Sequence, residues 1–393
     1  MRRAPGHGTA PAASLGGMPT TVKAADAAQF LSLVPRLLGY TPARSLVVVP
    51  MAGHRSVGAM RVDLPPGDDL DTVERLASSV VGMVCRIGGA EAFVAVAYSE
   101  ESAAVGLPHA RLVDALGRRA EASGLAFVDA LVVAADGWGS HFDSDHPGAG
   151  RPLSELETTP TLDLPAVVGD QATGAAIPPH RAAERRVVGA AVQSLRTALE
   201  VLCGIPSESA RVARVDPAAL EAACELDDLP RLFESALRWD AAALPPMRAA
   251  LLAWCLARPA LRDVALVQWA TDVVGGEDAL EAQRRWEDGA EYPSDLASVM
   301  WGEGPRPDPD RLETAVELAR HIAALAPKLL RPGALATCAW LSWALGRSTH
   351  ADRYAQLALE IEPDHGLSDI VRSFVGAGHL PDWAFRRPAG GAV

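Results

Sequence analysis

Between Asp136 and His146 the chain places two imidazoles and three carboxylates within eleven residues: Asp136, His141, Asp143, Asp145 and His146. A mixed nitrogen and oxygen donor set of this kind suits zinc or manganese. It follows a strand-like run, and the carboxyl ends of strands are where α/β sheets take their ligands. The plainer alternative is a solvated polar loop whose groups never converge, and no second ligand segment stands out. Arg61 and Asp63, in Arg-Val-Asp-Leu-Pro, are a second candidate. Alternation along a strand puts both on one face, with Val62 and Leu64 on the other. The pair then either grips a ligand carboxylate or phosphate through the arginine fork or pins the sheet to a neighbour as an ion pair. Arg44 carries the same two readings. Arg181 and Arg185, with Arg186, open a helix whose positive end favours an anion; Glu184 dilutes that set, and a solvated helix face also explains it.

The familiar catalytic signatures are missing. There is no Gly-x-x-x-x-Gly-Lys-Ser/Thr, no Gly-x-Gly-x-x-Gly after a strand, no His-Glu-x-x-His and no Gly-x-Ser-x-Gly, which sets aside the usual phosphate-loop, dinucleotide, zinc-protease and serine-hydrolase motifs. A triad built from distant segments is recognised by geometry, not order, and nothing in the sequence recommends one. No cofactor is indicated.

Composition bounds the rest. The chain has 393 residues and a formal charge of −13, a poor starting point for nonspecific binding to nucleic acid or anionic membranes. Alanine supplies 73 residues, and only Lys23 and Lys328 are lysine. GC-rich codons explain both biases more simply than a phosphate-reading surface. The five cysteines are widely spaced with no Cys-x-x-Cys pair, so they read as small buried hydrophobes in a reducing compartment. Residues 1–20 have no apolar stretch behind Arg2 and Arg3, so they read as a disordered leader rather than a signal peptide. With no apolar run of membrane-spanning length, a soluble cytoplasmic protein is expected.

These residues need elements to position them. Apolar spacing predicts a helix over 24–38, interrupted late by Pro35 and stopped at Gly39. Ser45–Pro50 and Ser56–Leu64 read as a hairpin, followed by a helix over 70–86, a buried strand over 92–98, a helix over 108–123 and a strand over 126–135. Strands alternating with helices predict an α/β domain with a mixed sheet, parallel after the first hairpin. It spans 21–205 and includes a long 136–179 loop, of a length that marks function or disorder. The stripe Val188, Val192, Leu195, Leu199 and Leu202 closes that domain with a clean amphipathic helix. Beyond it no strand pattern survives, eight of the nine tryptophans cluster, and 206–385 reads as an all-helical domain with a 386–393 tail. Tryptophans from Trp239 to Trp301 recur at steps of 15, 15, 17 and 15 residues, which suits stacked helical hairpins. Trp340 to Pro363 resembles one tetratricopeptide-like unit.

Leu33-Val-Pro-Arg-Leu-Leu-Gly-Tyr-Thr-Pro-Ala-Arg-Ser-Leu-Val-Val-Val, followed by Arg61-Val-Asp-Leu-Pro65, closely resembles the opening of the domain of unknown function 4192 family, uncharacterised proteins of actinobacteria. Arg262-Asp263, Trp286, Ala339-Trp-Leu with Gly346, and Gly378 with Pro381 extend the resemblance over about 24–383. The family pattern often sets cysteines and a Cys-Pro pair after its central tryptophan, whereas Trp138 is followed by Gly-Ser-His-Phe-Asp-Ser-Asp-His-Pro. Any metal or bridge that such cysteines hold would be absent here. The resemblance implies a fold and no reaction.

Two functions fit these observations. The first is a binding, regulatory or protein-interaction module whose helical domain presents a surface to a protein partner. The second is an enzyme with a ligand or metal site at the strand ends, covered by the 136–179 loop. A pocket lined by Arg61, Asp63 and Asp136 would favour the second.

Overall fold

The computed structural model describes residues 24, 26–144, 148–157, 167–205 and 215–386. Its organising strand is β1 (Ser45–Ala52), whose Ser-Leu-Val-Val-Val run is buried on both faces. β2 (Arg55–Ser56) and β3 (Met60–Asp63) return along one edge of β1, separated by Gly58 at φ +151°. The other edge of β1 pairs with β4 (Ala92–Tyr98), then β5 (Ala126–Val133) and β6 (Trp138–Ser140) complete the sheet.

The sheet is mixed as expected, with a specific pattern. β1 is antiparallel to both β3 and β4, and β4 and β5 are parallel. The reason is connectivity: the chain leaves β3 through α2 (Leu70–Arg86) and re-enters in the same direction as β4, on the far side of β1. A second crossover, α3 (Ala110–Ala122), then sets β5 parallel to β4. Leu46, Val48, Phe93 and Val132 meet the apolar stripes of α2 and α3 on one face. Ala95 and Ala97 on that face keep the helices close. On the other face Val47, Val49, Val94 and Val96 meet α1 (Ala27–Leu38) and residues of α4 (Ser154–Glu157). Asp26 caps α1 by accepting from Gln29 N–H, and Gly39 closes it at φ +82°, a left-handed conformation that favours glycine.

β6 and α4 lie inside the segment expected to be one long loop. Trp138–Ser140 adds an antiparallel strand to β5, and Trp138 also bridges to Arg151. A strand of three residues is too short to show a period, which is why the sequence reads it as loop.

The second half is helical. It comprises α5 (Ala182–Leu202), α6 (Pro217–Cys224), α7 (Leu229–Ala236), α8 (Pro246–Leu256), α9 (Pro259–Ala270), α10 (Val273–Glu287), α11 (Ser294–Met300), α12 (Pro309–Leu325), α13 (Arg331–Ala344), α14 (Ser348–Leu359) and α15 (Gly366–Gly376). α5, grouped with the sheet on sequence grounds, packs instead with this half: Val188, Leu195 and Ala198 belong to the helical core, as does Ala175 ahead of them. Its stripe identifies the buried face through Val188 and Leu195, whereas Leu202, at the end of the stripe, is exposed; it carries no information about what buries that face.

Four of the clustered tryptophans pin helices to one another, while Trp286 and Trp301 are exposed. Trp269, Trp340, Trp343 and Trp383 are buried, and each donates its indole N–H to a backbone carbonyl at 2.8–3.2 Å, from Phe233, Met300, His379 and Ala344 respectively. A buried indole needs such an acceptor. The cysteines depart from expectation: Cys255 and Cys338 are buried, but Cys85, Cys203 and Cys224 are exposed. Alanine-rich helices leave positions where a cysteine faces outward at little cost, so apolar surroundings in sequence were a weak guide to burial. Among the described residues no helix is long and apolar enough to cross a membrane.

Candidate functional site

Among the described residues the two halves are tied together at three places, and a cleft of about 880 Å³ lies between the ties. That volume falls in the range of small-molecule sites.

The first tie is the segment 167–181, which leaves the sheet half and leads into α5. Val168 N–H donates to Gly39 O at 3.2 Å and Thr41 N–H to Gly169 O at 2.9 Å. The Gln171 side chain both accepts from Ala43 N–H at 3.0 Å and donates to Ala43 O at 2.9 Å. Asp170 folds the next turn by accepting from the N–H groups of Ala172 and Thr173, and these bonds hold its carboxyl below the usual range. Further along, Arg320 of α12 donates to Ala176 O.

The second tie is Arg61 on β3. Its guanidinium donates to Ser45 Oγ at 2.7 Å and to Thr349 Oγ1 of α14 at 2.9 Å, and it pairs with Asp63. The Arg61 side chain is only 9% exposed, whereas Asp63 is 81% exposed. The third tie is the C-terminal segment: Leu380 and Phe385 pack into the α2–α3 side of the sheet core, Arg86 of α2 pairs with Asp382, and the Arg86 guanidinium lies 4.0 Å from the centre of the Phe385 ring.

The cleft carries a charge opposite to that of the whole chain. Arg61, Arg306, Arg320, Arg347 and Arg386 line it, against Asp170, Glu313 and Glu317. Glu313 pairs with Arg347 at 2.6 Å and Glu317 with Arg320 at 2.7 Å. Tyr40, His350 and Tyr354 complete the polar wall. Burial raises the Tyr40 phenol, partly offset by Arg61 and Arg347. Burial also lowers the His350 imidazole, and Arg347 lowers it further. The N-terminus of α14 opens on this wall through Gly346, Arg347, Ser348, Thr349 and His350, and among the described residues no side chain caps it.

Of the described residues singled out by sequence, Arg61 alone lines this cleft. Asp63 is its outward partner. Asp136 serves at the strand ends as a loop clasp: it accepts from Ser102 Oγ and from Ala103 N–H, the latter at 2.7 Å, and both bonds lower its carboxyl pKa. Arg61, Asp63 and Asp136 therefore do not form one pocket. Arg44, at φ +47°, stands 3.7 Å from Glu100 with both side chains largely exposed. At the start of α5, Arg181 N–H donates to Glu184 Oε2 at 2.9 Å and Arg185 donates to His180 O at 2.8 Å. The arginines there stabilise the helix start.

His141 Nε2 lies 3.0 Å from Pro108 O, while Asp143 accepts from Arg151 at 2.9 Å. Asp145 and His146 fall outside the described residues. Among the described residues no group of three or more His, Cys, Asp or Glu side chains is arranged to hold a metal ion. Asp143 lines a second, more open cavity of about 470 Å³ with Asp129, Trp138 and Arg151, and His141 does not.

Sequence reasoning did not find Tyr40, Arg306, Arg320, Arg347, Thr349, His350 or Arg386. The one local signal was Gly346-Arg347-Ser348-Thr349 between two apolar helices, a helix start rich in hydroxyls with an arginine beside it.

A family described as a domain of unknown function (DUF4192) matches residues 28–291 of the chain. The match takes in the sheet half and the helices through α10, and ends before α12 and α14, which supply the facing wall of the cleft. None of the curated proteins and none of the solved structures matches.

Proposed function

The chain belongs to the DUF4192 family, and with that membership as the premise we propose that it is a small-molecule-binding regulatory protein whose ligand sits between the sheet half and the helical half. The observation that carries this reading is the cleft itself: a cavity of about 880 Å³ whose walls come from both halves, bounded by three ties. A ligand in it touches β3 and α14 at once, so occupancy acts on the relation between the halves. A protein whose two halves share a ligand transmits binding as a change in their mutual stability.

The strand-end enzyme reading has less support. Asp136 is engaged in closing its own loop, and neither cavity described above includes it.

The test is a thermal-shift screen of the full chain against a metabolite library, repeated with Val57→Trp, which places a large ring on the cleft wall. A ligand selective for the folded state raises stability by mass action, by about 2.7 kcal/mol at a hundredfold excess over its Kd. Shifts that disappear in Val57→Trp support the reading. Shifts that persist there, or none from any compound, overturn it.

A further inference from the structure

Resting on that cleft reading, we infer that the ligand is an organic phosphate, with its phosphoryl group at the N-terminus of α14 between Arg61 and Arg347 and its body along Met60, Met83, Ile87 and Phe385. Three features lead there.

The first is charge. The chain carries −13 overall, yet the cleft wall holds two more arginines than acidic residues. A cleft with this inversion concentrates anions against the field of the rest of the surface. The second is the number and fixity of the donors. Arg61 has five N–H groups; bonds to Ser45, Thr349 and Asp63 hold its plane in place and, among the described residues, leave two N–H groups without a partner. Ser348, Thr349 and His350 are the first residues of α14, and among the described residues their backbone N–H groups have no partner; the first helical bond is Ala351 N–H to Arg347 O. Arg61 bonds to Thr349 at 2.9 Å, and Arg347 is the residue that opens the same helix start. The third is that Met60, Met83, Ile87 and Phe385 are also among the residues that line the cleft and give it an apolar stretch.

The donor count selects phosphoryl over carboxylate. Two N–H groups of Arg61, three of the helix start, the Ser348 hydroxyl and Arg347 exceed the roughly four acceptor positions of a carboxylate. They match the three strongly accepting oxygens of a phosphate monoester, with its charge of about −1.5 to −2 at neutral pH. Glu313 now occupies part of Arg347; an incoming dianion shares that guanidinium with it.

The experiment is isothermal titration calorimetry on the full chain with three probes: phenyl phosphate, inorganic phosphate and benzoate. It is repeated on Arg347→Ala and on Arg44→Ala, a control on the exposed rim of the sheet, with circular dichroism to confirm folding. The expected result is that phenyl phosphate binds, inorganic phosphate competes with it, Arg347→Ala weakens binding by about tenfold or more (the loss of one charge-assisted hydrogen bond), and Arg44→Ala leaves it unchanged. Benzoate binding as tightly as phenyl phosphate, with the same dependence on Arg347, overturns the phosphoryl assignment and leaves the cleft reading intact. The same division follows if both phosphates fail while library ligands sensitive to Val57→Trp are found. Phosphate binding indifferent to Arg347→Ala overturns the placement at α14, and an absence of any cleft-dependent ligand removes both.

Discussion

His180 Nε2 stands 3.1 Å from His321 Nδ1, and a carboxylate closes the chain at each end. Glu184 Oε2 is 3.0 Å from His180 Nδ1, and Glu317 Oε1 is 3.0 Å from His321 Nε2. His180 sits at the end of the segment that ties the halves, while His321 belongs to α12, and Glu317 also lines the cleft. This row of four side chains is therefore the anchor that seats the tie on the helical core. His180→Ala and His321→Ala are each expected to destabilise the protein. Because the rings bond to each other, the double variant costs less than the sum, with a coupling of about 0.5–2 kcal/mol. Urea denaturation of the four proteins measures it; strict additivity would show that the contact contributes nothing.

The C-terminal tie makes a second prediction. Phe385 is buried among residues of α2 and the sheet although it lies near the end of the chain. Its partner Arg86 also pairs with Asp382. Phe385→Ala removes a large ring from the sheet core and is expected to cost about 2–4 kcal/mol. Arg86→Ala, which leaves the ring seated, loses a partly exposed cation–π contact and ion pair and costs about 1 kcal/mol. Equal effects of the two variants in chemical denaturation would mean that the ring is not the anchor.

How far the sequence foretells this arrangement depends on the range over which each signal acts. The sheet half is legible because β1 and β4 are buried on both faces and so read as apolar runs, while α2 carries a one-sided stripe between Val73 and Val84. β6 was not, since Trp138–Ser140 is too short for any period. Alternation along β3 put Arg61 and Asp63 on one face, and they are indeed bonded. Nothing in the sequence joins Arg61 to Thr349, 288 positions away. The cleft is a product of how two cores are tied together, and the residues that line it are separated by most of the chain. Of the neighbouring pair His141 and Asp143, His141 Nε2 lies by Pro108 O and Asp143 accepts from Arg151, contacts that their closeness in sequence does not announce.

Gly333, near the start of α13, shows how closely the helical core is built. A Cβ there would stand 2.1 Å from Leu256 O and 2.6 Å from Leu256 C. The obstacle is the backbone at the end of α8, which cannot rotate aside as a side chain can. Gly333→Ala gains helix propensity of about 1 kcal/mol, yet overpacking forces α13 and α8 apart at a cost of about 1–3 kcal/mol or more. Net destabilisation is expected, read as a lower urea midpoint with the slope unchanged. A neutral or stabilised variant would show that the two helices part easily.

The last prediction concerns acid. His350 lies in the fields of Arg347 and Arg320, whose effect hydrogen bonds to the backbone of Thr173 and Gln171 oppose. His365 faces Arg262, Asp263 and Glu362, with Ser368 Oγ 3.1 Å from its Nδ1. In both, burial is the leading cause that lowers the imidazole from its ordinary value of 6.5, with a neighbouring arginine adding to it. Below 6.5 the unfolded chain therefore binds protons that the folded one resists, so stability rises with pH across this interval. The contribution is complete above 6.5 and is lost as pH falls through the lower folded values. Melting temperature should drop between about pH 7.5 and about pH 5.5, a range in which carboxylates with ordinary values change little. His365→Asn keeps a polar group beside Ser368 but cannot titrate, so it should flatten that slope. An unaltered slope in both His365→Asn and His350→Asn would assign the acid sensitivity to other groups.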